Sequence, residues 1–305
     1  METRKIGSLE ATVVGLGCNN FGRRCDEQQT RLVVDAALDA GVTFFDTADI
    51  YGGTKSEEFL GRILQGRRDR VVLATKFGMD VAPDKKGAAP AYVRQAARDS
   101  LSRLQTDHID LYQLHQPDPA VPIGDTLAAL DELVRDGLVR EIGCSNFSAE
   151  QLREADAAVV GGAARFVSVQ NELSLLARDD ERDGLVAARE LGLAYIPYFP
   201  LASGVLTGKY TRGEAPPAGT RLAHYDERPS DEEFDLVDAY TTFASERDRT
   251  LLELAIGWLL SLDPPVASVI TGATKPEQIA TNAAASTWRL NDEELMAVAT
   301  IASRT

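Results

Sequence analysis

The stretch Thr43-Phe44-Phe45-Asp46-Thr47-Ala48-Asp49-Ile50-Tyr51-Gly52 decides how the rest of the chain is read. Its β-branched and aromatic start predicts a buried strand, and that strand stops at the carboxylate of Asp46. Tyr51 follows on a loop that ends in glycine. Two later runs of the same kind also finish on an ionisable group: Val71-Val72-Leu73-Ala74-Thr75-Lys76, and Ile109-Asp110-Leu111-Tyr112-Gln113-Leu114-His115. If the three strands are parallel neighbours, Asp46, Tyr51, Lys76 and His115 meet at one end of the sheet.

Outward from these runs, strand-like and helix-like segments alternate along the whole chain. Strand signals fall near residues 13–17, 43–46, 71–75, 110–114, 141–145, 167–170, 194–198 and 267–270. Amphipathic segments fall near 27–40, 55–65, 90–104, 123–136, 149–160, 180–191, 250–261 and 276–284. Asp26-x-x-Gln29, Thr54-x-x-Glu57, Ser148-x-x-Gln151 and Thr274-x-x-Glu277 resemble capping boxes at helix starts. Gly41, Gly66, Gly137 and Gly192 stand where helices end. Eight such units in 305 residues predict an α/β fold, a closed (β/α)8 TIM barrel, with a doubly wound open sheet as the competitor. The expectation is a single domain over residues 1–305, with an N-terminal β-hairpin at 3–12 turning at Gly7-Ser8 and extra C-terminal helices, one of them at 291–303. The long irregular stretch 203–229, rich in Gly, Pro and charge, reads as a functional lid or a disordered loop.

Composition narrows the function. A formal net charge of −15 and a pI near 4.7 argue against nucleic acid or an anionic membrane surface as the main partner. An anionic cofactor would need a local cluster of donors acting against that field. Cys18, Cys25 and Cys144 are scattered and form no Cys-x-x-Cys, which fits a reducing cytoplasm and neither a disulfide framework nor a thiolate zinc site. The start Met1-Glu2-Thr3-Arg4-Lys5 lacks a signal-peptide core, and Leu251 to Leu260 is too short to span a bilayer. The expectation is a cytoplasmic protein. His108, His115 and His224 form no His-x-His, so a metal-dependent hydrolase on the same barrel is disfavoured and no metal is expected.

At the C-terminal ends of barrel strands the four residues have a definite chemical use. A phenol is a weak acid near neutral pH, and a neighbouring ammonium favours its phenolate and eases proton donation. Asp46 would hold Lys76 charged and in place, and His115 could hydrogen-bond a carbonyl oxygen and orient it toward Tyr51. Singly, each has an ordinary reading: a strand-end Asp caps a helix, a lone Tyr packs, and structural ion pairs occupy such sites too.

The segments Asp46-Thr47-Ala48-x-x-Tyr51-Gly52, Ala74-Thr75-Lys76-Phe77-Gly78 and Asp110-Leu111-Tyr112-x-x-His115 resemble the aldo-keto reductase superfamily. The resemblance continues through Gly143-Cys144-Ser145-Asn146-Phe147, Gln170-Asn171-Glu172, the run from Tyr198 to Tyr210, and Gly272-Ala273-Thr274 with Pro276-Glu277-Gln278 and Asn282. It implies that Tyr51 is the general acid, that Lys76 and Asp46 lower its proton affinity, and that His115 positions the carbonyl. It implies further that Ser145, Asn146 and Gln170 hold a nicotinamide carboxamide while Tyr198 stacks on the ring. Pro200, Leu201, Ser203, Gly204, Leu206, Gly208 and Lys209 match the segment over the pyrophosphate, and Gly272, Thr274, Lys275, Gln278 and Asn282 match the far end of the cofactor.

The residues themselves allow this. The Gly-rich run 202–209 can approach a pyrophosphate with backbone N–H groups, although a plain loop reads equally well. Amides opening the helix after Thr274, with Lys275, can seat a 2′-phosphate. Gly15-Leu16-Gly17-Cys18-Asn19-Asn20 starts like a Rossmann fingerprint but has Asn20 where the third glycine belongs, so that reading fails. Family arginine is replaced by Gln278, glutamate by Thr281, proline by Thr271, and a small polar residue by Phe199. Losing the arginine removes a bidentate phosphate clamp. The expected cofactor is NADP(H), with NAD(H) left open.

The sequence therefore reads as an NADP(H)-dependent oxidoreductase reducing aldehydes or ketones to alcohols, with a small-molecule carbonyl substrate. The alternative is a non-catalytic nicotinamide-cofactor-binding regulatory subunit. Loops 18–25, 77–90 and 211–230 would shape the substrate pocket, with Phe21, Phe77, Met79 and Tyr225 as candidate apolar wall and a surface role as the equal alternative for Tyr225.

Overall fold

The structure is a computed structural model that describes residues 1–224, 228–262 and 266–303. A hairpin of β1 (Thr3–Ile6) and β2 (Leu9–Thr12) precedes an all-parallel sheet. The sheet strands are β3 (Val14–Gly17), β4 (Phe44–Asp46), β5 (Val72–Phe77), β6 (Ile109–Leu114), β7 (Val139–Ser145), β8 (Phe166–Gln170), β9 (Ala194–Tyr195) and β10 (Val269–Gly272). Helices α1 (Glu27–Asp39), α2 (Lys55–Ile63), α3 (Pro90–Leu104), α4 (Ile123–Arg135), α5 (Ala149–Ala157) and α6 (Gly184–Leu191) alternate with the strands as far as β9. Then come α7 (Asp231–Ser245) and α8 (Leu251–Ser261) before β10, and α9 (Pro276–Ala284) and α10 (Asp292–Ala302) after it.

Strand order β10-β3-β4-β5-β6-β7-β8-β9 follows the chain except that the last strand returns beside the first. The Ala267 N–H donates to the Tyr195 carbonyl at 2.8 Å and the Ile270 N–H to the Pro197 carbonyl at 3.2 Å, which joins the two ends. This is the (β/α)8 barrel with its hairpin and added C-terminal helix.

Alternation along the strands separates two cores. Phe44, Ala74, Leu111, Ala194 and Ile270 fill the barrel interior, and Ile6, Leu9 and Ala11 of the hairpin close its lower end. Phe45, Leu73, Tyr112 and Val169 point outward into the layer beneath the helices. A Cβ on Gly15 would lie 2.8 Å from Ile270 Cδ1 and 2.9 Å from Phe44 Cδ1, and one on Gly17 would lie 2.9 Å from Ile270 Cγ2. The glycine pair that starts like a dinucleotide fingerprint thus serves close packing inside the barrel.

Three local expectations need correction. Ser148 and Gln151 form the reciprocal capping box, and Asp26 caps the Gln29 amide, but Thr54 adopts a left-handed φ of 76° and caps nothing with its side chain. Its presumed partner Glu57 is buried, accepting from Thr75 Oγ1 at 2.5 Å and from Arg103 Nε at 2.6 Å. At α9 the capping carboxamide is Gln278 rather than Glu277: its Oε1 accepts from the Thr274 N–H at 2.7 Å and the Lys275 N–H at 3.1 Å. Finally, α7 stands where no helix was expected. Phe234, Val237, Tyr240 and Phe243 form its buried stripe, and a Ser230–Glu233 capping box starts it.

Candidate active site

The inward face of each strand delivers the ionisable groups. Phe44 lies in the barrel core, so Asp46, two residues on, points the same way at the strand end; Ala74 and Lys76 repeat the arrangement on β5, Leu111 and Gln113 on β6. Lys76 Nζ donates to Asp46 Oδ2 at 2.6 Å and to the Thr47 carbonyl at 3.0 Å, and Lys76 is fully buried. Asp46 Oδ1 accepts from Gln170 Nε2 at 2.9 Å and Gln113 Nε2 at 3.2 Å. The carboxylate is therefore bonded through both oxygens, as a buried charge requires. Burial disfavours the Lys76 ammonium, but Asp46 and the neighbouring Tyr51 outweigh it and raise its pKa above the ordinary 10.5.

Tyr51 is carried by a pinned loop. The Thr47 N–H donates to the Ala74 carbonyl at 2.9 Å and the Asp49 N–H to the Lys76 carbonyl at 3.1 Å; Ser56 N–H closes onto the Tyr51 carbonyl at 3.2 Å. Lys76 Nζ sits 5.3 Å from the Tyr51 ring centroid, and the His115 ring meets that ring edge-on at 5.8 Å. The four residues expected to converge do so.

The electrostatics differ from expectation at one of them. Tyr51 has a pKa above the ordinary phenol value, because burial outweighs the pull of Lys76 toward the phenolate, and Asp46 opposes that pull. The ammonium thus limits an upward shift instead of producing a downward one. Burial, with a contribution from Lys76, lowers His115 to about 3, so its imidazole is neutral at physiological pH. Its Nδ1 is buried with no hydrogen-bond partner.

A cleft of about 680 Å³ opens over these groups. Asp46, Tyr51, His115, Ser145, Asn146, Gln170, Tyr198, Pro200, Leu201, Ser203, Gly204, Lys209, Gly272, Thr274, Lys275, Gln278 and Asn282 all line it. Lys76 lies behind its wall. Leu206 is fully buried in the core, and Gly208 ends the turn after it with φ 72°; neither lines the cleft. Asn146, itself at φ 61°, donates to the His115 carbonyl at 2.8 Å and accepts from the Tyr198 hydroxyl at 2.8 Å. Ser145 Oγ donates to the Gln170 carbonyl at 2.7 Å. Consecutive left-handed residues Ala202, Ser203 and Gly204 turn the backbone at the rim, and Lys209 folds over Gly204. Burial lowers the Lys209 pKa, with Tyr210 opposing and Arg24 reinforcing that shift.

Some lining residues carried no recognisable signal. Arg24, Gln116 and the segment Ala218–Arg221 reach the cleft from loops, and Gln113 supports Asp46 from one turn of the β-alternation before His115. Of the proposed apolar wall, Met79 lines the cleft, but Phe21 and Phe77 are fully buried. Phe77 stacks on Tyr112 at 4.7 Å because it faces the helices rather than the barrel mouth. Tyr225 lies outside the described residues. Among the described residues no helix is long and apolar enough to cross a membrane.

The model of the aldo/keto reductase family matches residues 13–303. The aldo-keto reductase YhdN of Bacillus subtilis is 35% identical, over 97% of this chain and 92% of that protein. A probable voltage-gated potassium channel subunit beta of rice is also 35% identical, over 86% of this chain and 83% of that protein. Among solved structures, the glycerol dehydrogenase AKR11B4 from Gluconobacter oxydans superposes with a TM-score of 0.86 at 29% identity, covering 99% of this chain and 95% of that one.

Proposed function

The chain belongs to the aldo/keto reductase family and is an NAD(P)H-dependent oxidoreductase, and from that premise we propose that it reduces aldehydes or ketones to alcohols with Tyr51 as the proton donor. One observation carries the assignment of roles: a phenol at the cleft stands beside a buried ammonium–carboxylate pair and a neutral imidazole. A neutral His115 carries one N–H at physiological pH, and with Nδ1 buried it is Nε2 that can present it to orient a carbonyl oxygen. Lys76 lies behind the cleft wall, committed to Asp46 and Thr47, so it acts through Tyr51. Its charge favours the phenolate left after proton donation, which lowers the barrier to that transfer.

The cofactor we propose is NADP(H), which supplies the hydride to the carbonyl carbon. Tyr198, held by Asn146, offers a ring for the nicotinamide, and Ser145, Asn146 and Gln170 offer polar groups for its carboxamide. With Gln170 Nε2 donating to Asp46, its Oε1 is the atom left to accept from the carboxamide N–H. Arg24, Lys209, Arg221 and Lys275 give the cleft of an acidic protein a cationic lining suited to phosphates. Because Gln278 Oε1 takes the Thr274 and Lys275 amides, a 2′-phosphate would rely on Lys275 and the Gln278 amide nitrogen. The domain we propose is one unit over residues 1–305.

Tyr51→Phe deletes only the hydroxyl. It should lower kcat for a small aldehyde by about 10²–10⁴ while leaving NADPH affinity within a factor of ~2, as expected when a proton donor alone is lost. Unchanged turnover would overturn the role. Tighter binding of NADH than NADPH in a fluorescence titration would overturn the cofactor assignment. The relative described as a channel subunit favours a second reading, a cofactor-bound regulatory subunit. Cofactor binding without turnover of any aldehyde or ketone in the same assay would select it.

A further inference from the structure

β7 and β8 pair as far as Ser145 beside Gln170, and the Asn146 N–H adds a last bond to the Gln170 carbonyl at 3.1 Å. Beyond that point the side chain of Asn171 stands in for a backbone rung. Its Oδ1 accepts from the Phe147 N–H at 3.2 Å, and its Nδ2 donates to the Phe147 carbonyl at 2.8 Å. Asn146 is therefore gripped on both flanks, which holds a non-glycine residue at its left-handed φ of 61°. The main chain of Asn171 serves the aromatic of the cleft: its carbonyl accepts from the Tyr198 N–H at 3.0 Å. We propose that Asn171 is a positioning residue for the nicotinamide, setting Asn146 against Tyr198 so that the carboxamide and the ring are held in one fixed relation. The inference rests on the nicotinamide reading of the main cleft.

Asn171 is itself locked in place. It is 6% exposed and stands behind the cleft wall, so it acts through its neighbours rather than on a ligand. The second Nδ2 hydrogen goes to Asp180 Oδ2 at 2.9 Å, in the turn Asp179–Glu181, and that oxygen also accepts from the Tyr195 hydroxyl at 2.5 Å. These bonds admit one orientation of the carboxamide: turned over, its oxygen would face the Phe147 carbonyl and the Asp180 carboxylate, acceptor against acceptor. Phe147 packs edge-on against Phe166 at 5.7 Å, which anchors its ring in the core. What Asn171 adds is the direction of the backbone that leads into it. With that backbone fixed, the Asn146 side chain bridges the site, Nδ2 to the His115 carbonyl and Oδ1 from the Tyr198 hydroxyl, each at 2.8 Å. A displaced Asn146 would thus disturb the carboxamide contacts and the tilt of the Tyr198 ring together.

The test is Asn171→Ala, titrated calorimetrically with NADPH and with adenosine 2′,5′-bisphosphate, which carries the 2′-phosphate end of the cofactor and lacks the nicotinamide. NADPH should bind about tenfold more weakly than to the wild type, the worth of one well-placed hydrogen bond, while the bisphosphate stays within a factor of ~2. A merely structural role would not split the two ligands, because general loosening of the barrel mouth weakens both. Should Asn171→Ala lose its cooperative thermal transition, Asn171→Ser, whose hydroxyl can keep one bond to Phe147, is titrated for the same split. Unchanged NADPH affinity, or equal weakening of both ligands, would overturn the positioning role and leave the nicotinamide reading intact. A wild type that binds no NADPH would instead overturn the nicotinamide reading, and the positioning role with it.

Discussion

Asp46→Asn isolates what the buried ion pair does. The substitution keeps shape, and the Asn oxygen can still accept from Gln170 and Gln113. Its amide nitrogen then faces Lys76 Nζ, donor against donor, where the carboxylate oxygen stood at 2.6 Å. A fully buried ammonium left with the Thr47 carbonyl and the Tyr51 hydroxyl, neither of them charged, can shed its proton, and the resulting amine can accept from the Asn N–H. Releasing a proton at pH 7 from a group of ordinary pKa 10.5 costs up to about 5 kcal/mol, which bounds the loss of stability from above. Loss of one partner of a buried pair generally costs about 3–5 kcal/mol, which agrees. For a chain of 305 residues that lowers Tm by about 5–8 °C.

The sign of the pH dependence separates this account from simple packing damage. In the wild type the folded pKa of Lys76 lies above 10.5, so the pair's contribution is complete below pH 10.5 and is lost only as pH rises through the folded value. In the variant the folded pKa falls below 10.5, the unfolded chain binds more protons, and stability climbs by about 1.4 kcal/mol per pH unit. Urea unfolding of both proteins at pH 7 and pH 9 measures the gap directly. It should narrow by about 2–3 kcal/mol over that interval. A gap that stays constant would refute the claim that the fold holds Lys76 as an ammonium through Asp46. With Lys76 neutral, the charge that favours the Tyr51 phenolate is gone, so kcat should fall by about 10² or more alongside.

Two other perturbations test the frame around the site. Asp49 is buried with Oδ1 unpartnered, and burial, with the charge of Glu57, raises its pKa to about 7 from an ordinary 3.8. A carboxyl whose folded pKa is raised favours the fold at low pH and penalises it as pH climbs through 7, so Asp49→Asn should stabilise the protein by up to about 4 kcal/mol at pH 8. Thermal melts should show that advantage vanish near pH 4. Gly52→Ala places a Cβ against the backbone of Phe21 and Gly22, which cannot yield as a side chain tip can. It should displace Tyr51, cut kcat at least ~10-fold and destabilise by about 1–3 kcal/mol. Gly53→Ala is the control: its φ is 64°, but nothing lies within 4 Å of the added Cβ, so only the ~1 kcal/mol backbone cost is expected.

What could be read from the residues depended on whether the signal was periodic. Strand ends at Asp46, Lys76 and His115 were legible because alternation fixes which side chains face the barrel and a charge stops an apolar run. The stripe Phe234, Val237, Tyr240 and Phe243 of α7 has helical spacing, but charged residues at Asp231, Glu232, Glu233, Asp235 and Asp238 dilute that signal beside a long loop. Phe21 and Phe77 were misplaced for a different reason. Both sit next to cleft residues in the chain but pack into the layer beneath the helices: alternation turns Phe77 outward at the end of β5, and Phe21 lies in the loop after β3, where no period sets its direction.

The direction of the Tyr51 shift turns on a magnitude that residue identity does not carry: Lys76 does pull toward the phenolate, but burial outweighs it. Residue identity told that an ammonium stands beside a phenol, but not how far both are removed from water. Desolvation raises the phenol, lowers His115 and opposes the Lys76 charge, all by the same cause. Only Lys76 escapes it, because a carboxylate with both oxygens occupied by donors lies 2.6 Å away. The charge that survives burial at this cleft is therefore the one with the best partner. The working acid beside it depends on that partner holding, which is why Asp46, acting through Lys76, is the residue whose loss should be felt in stability, pH response and rate together.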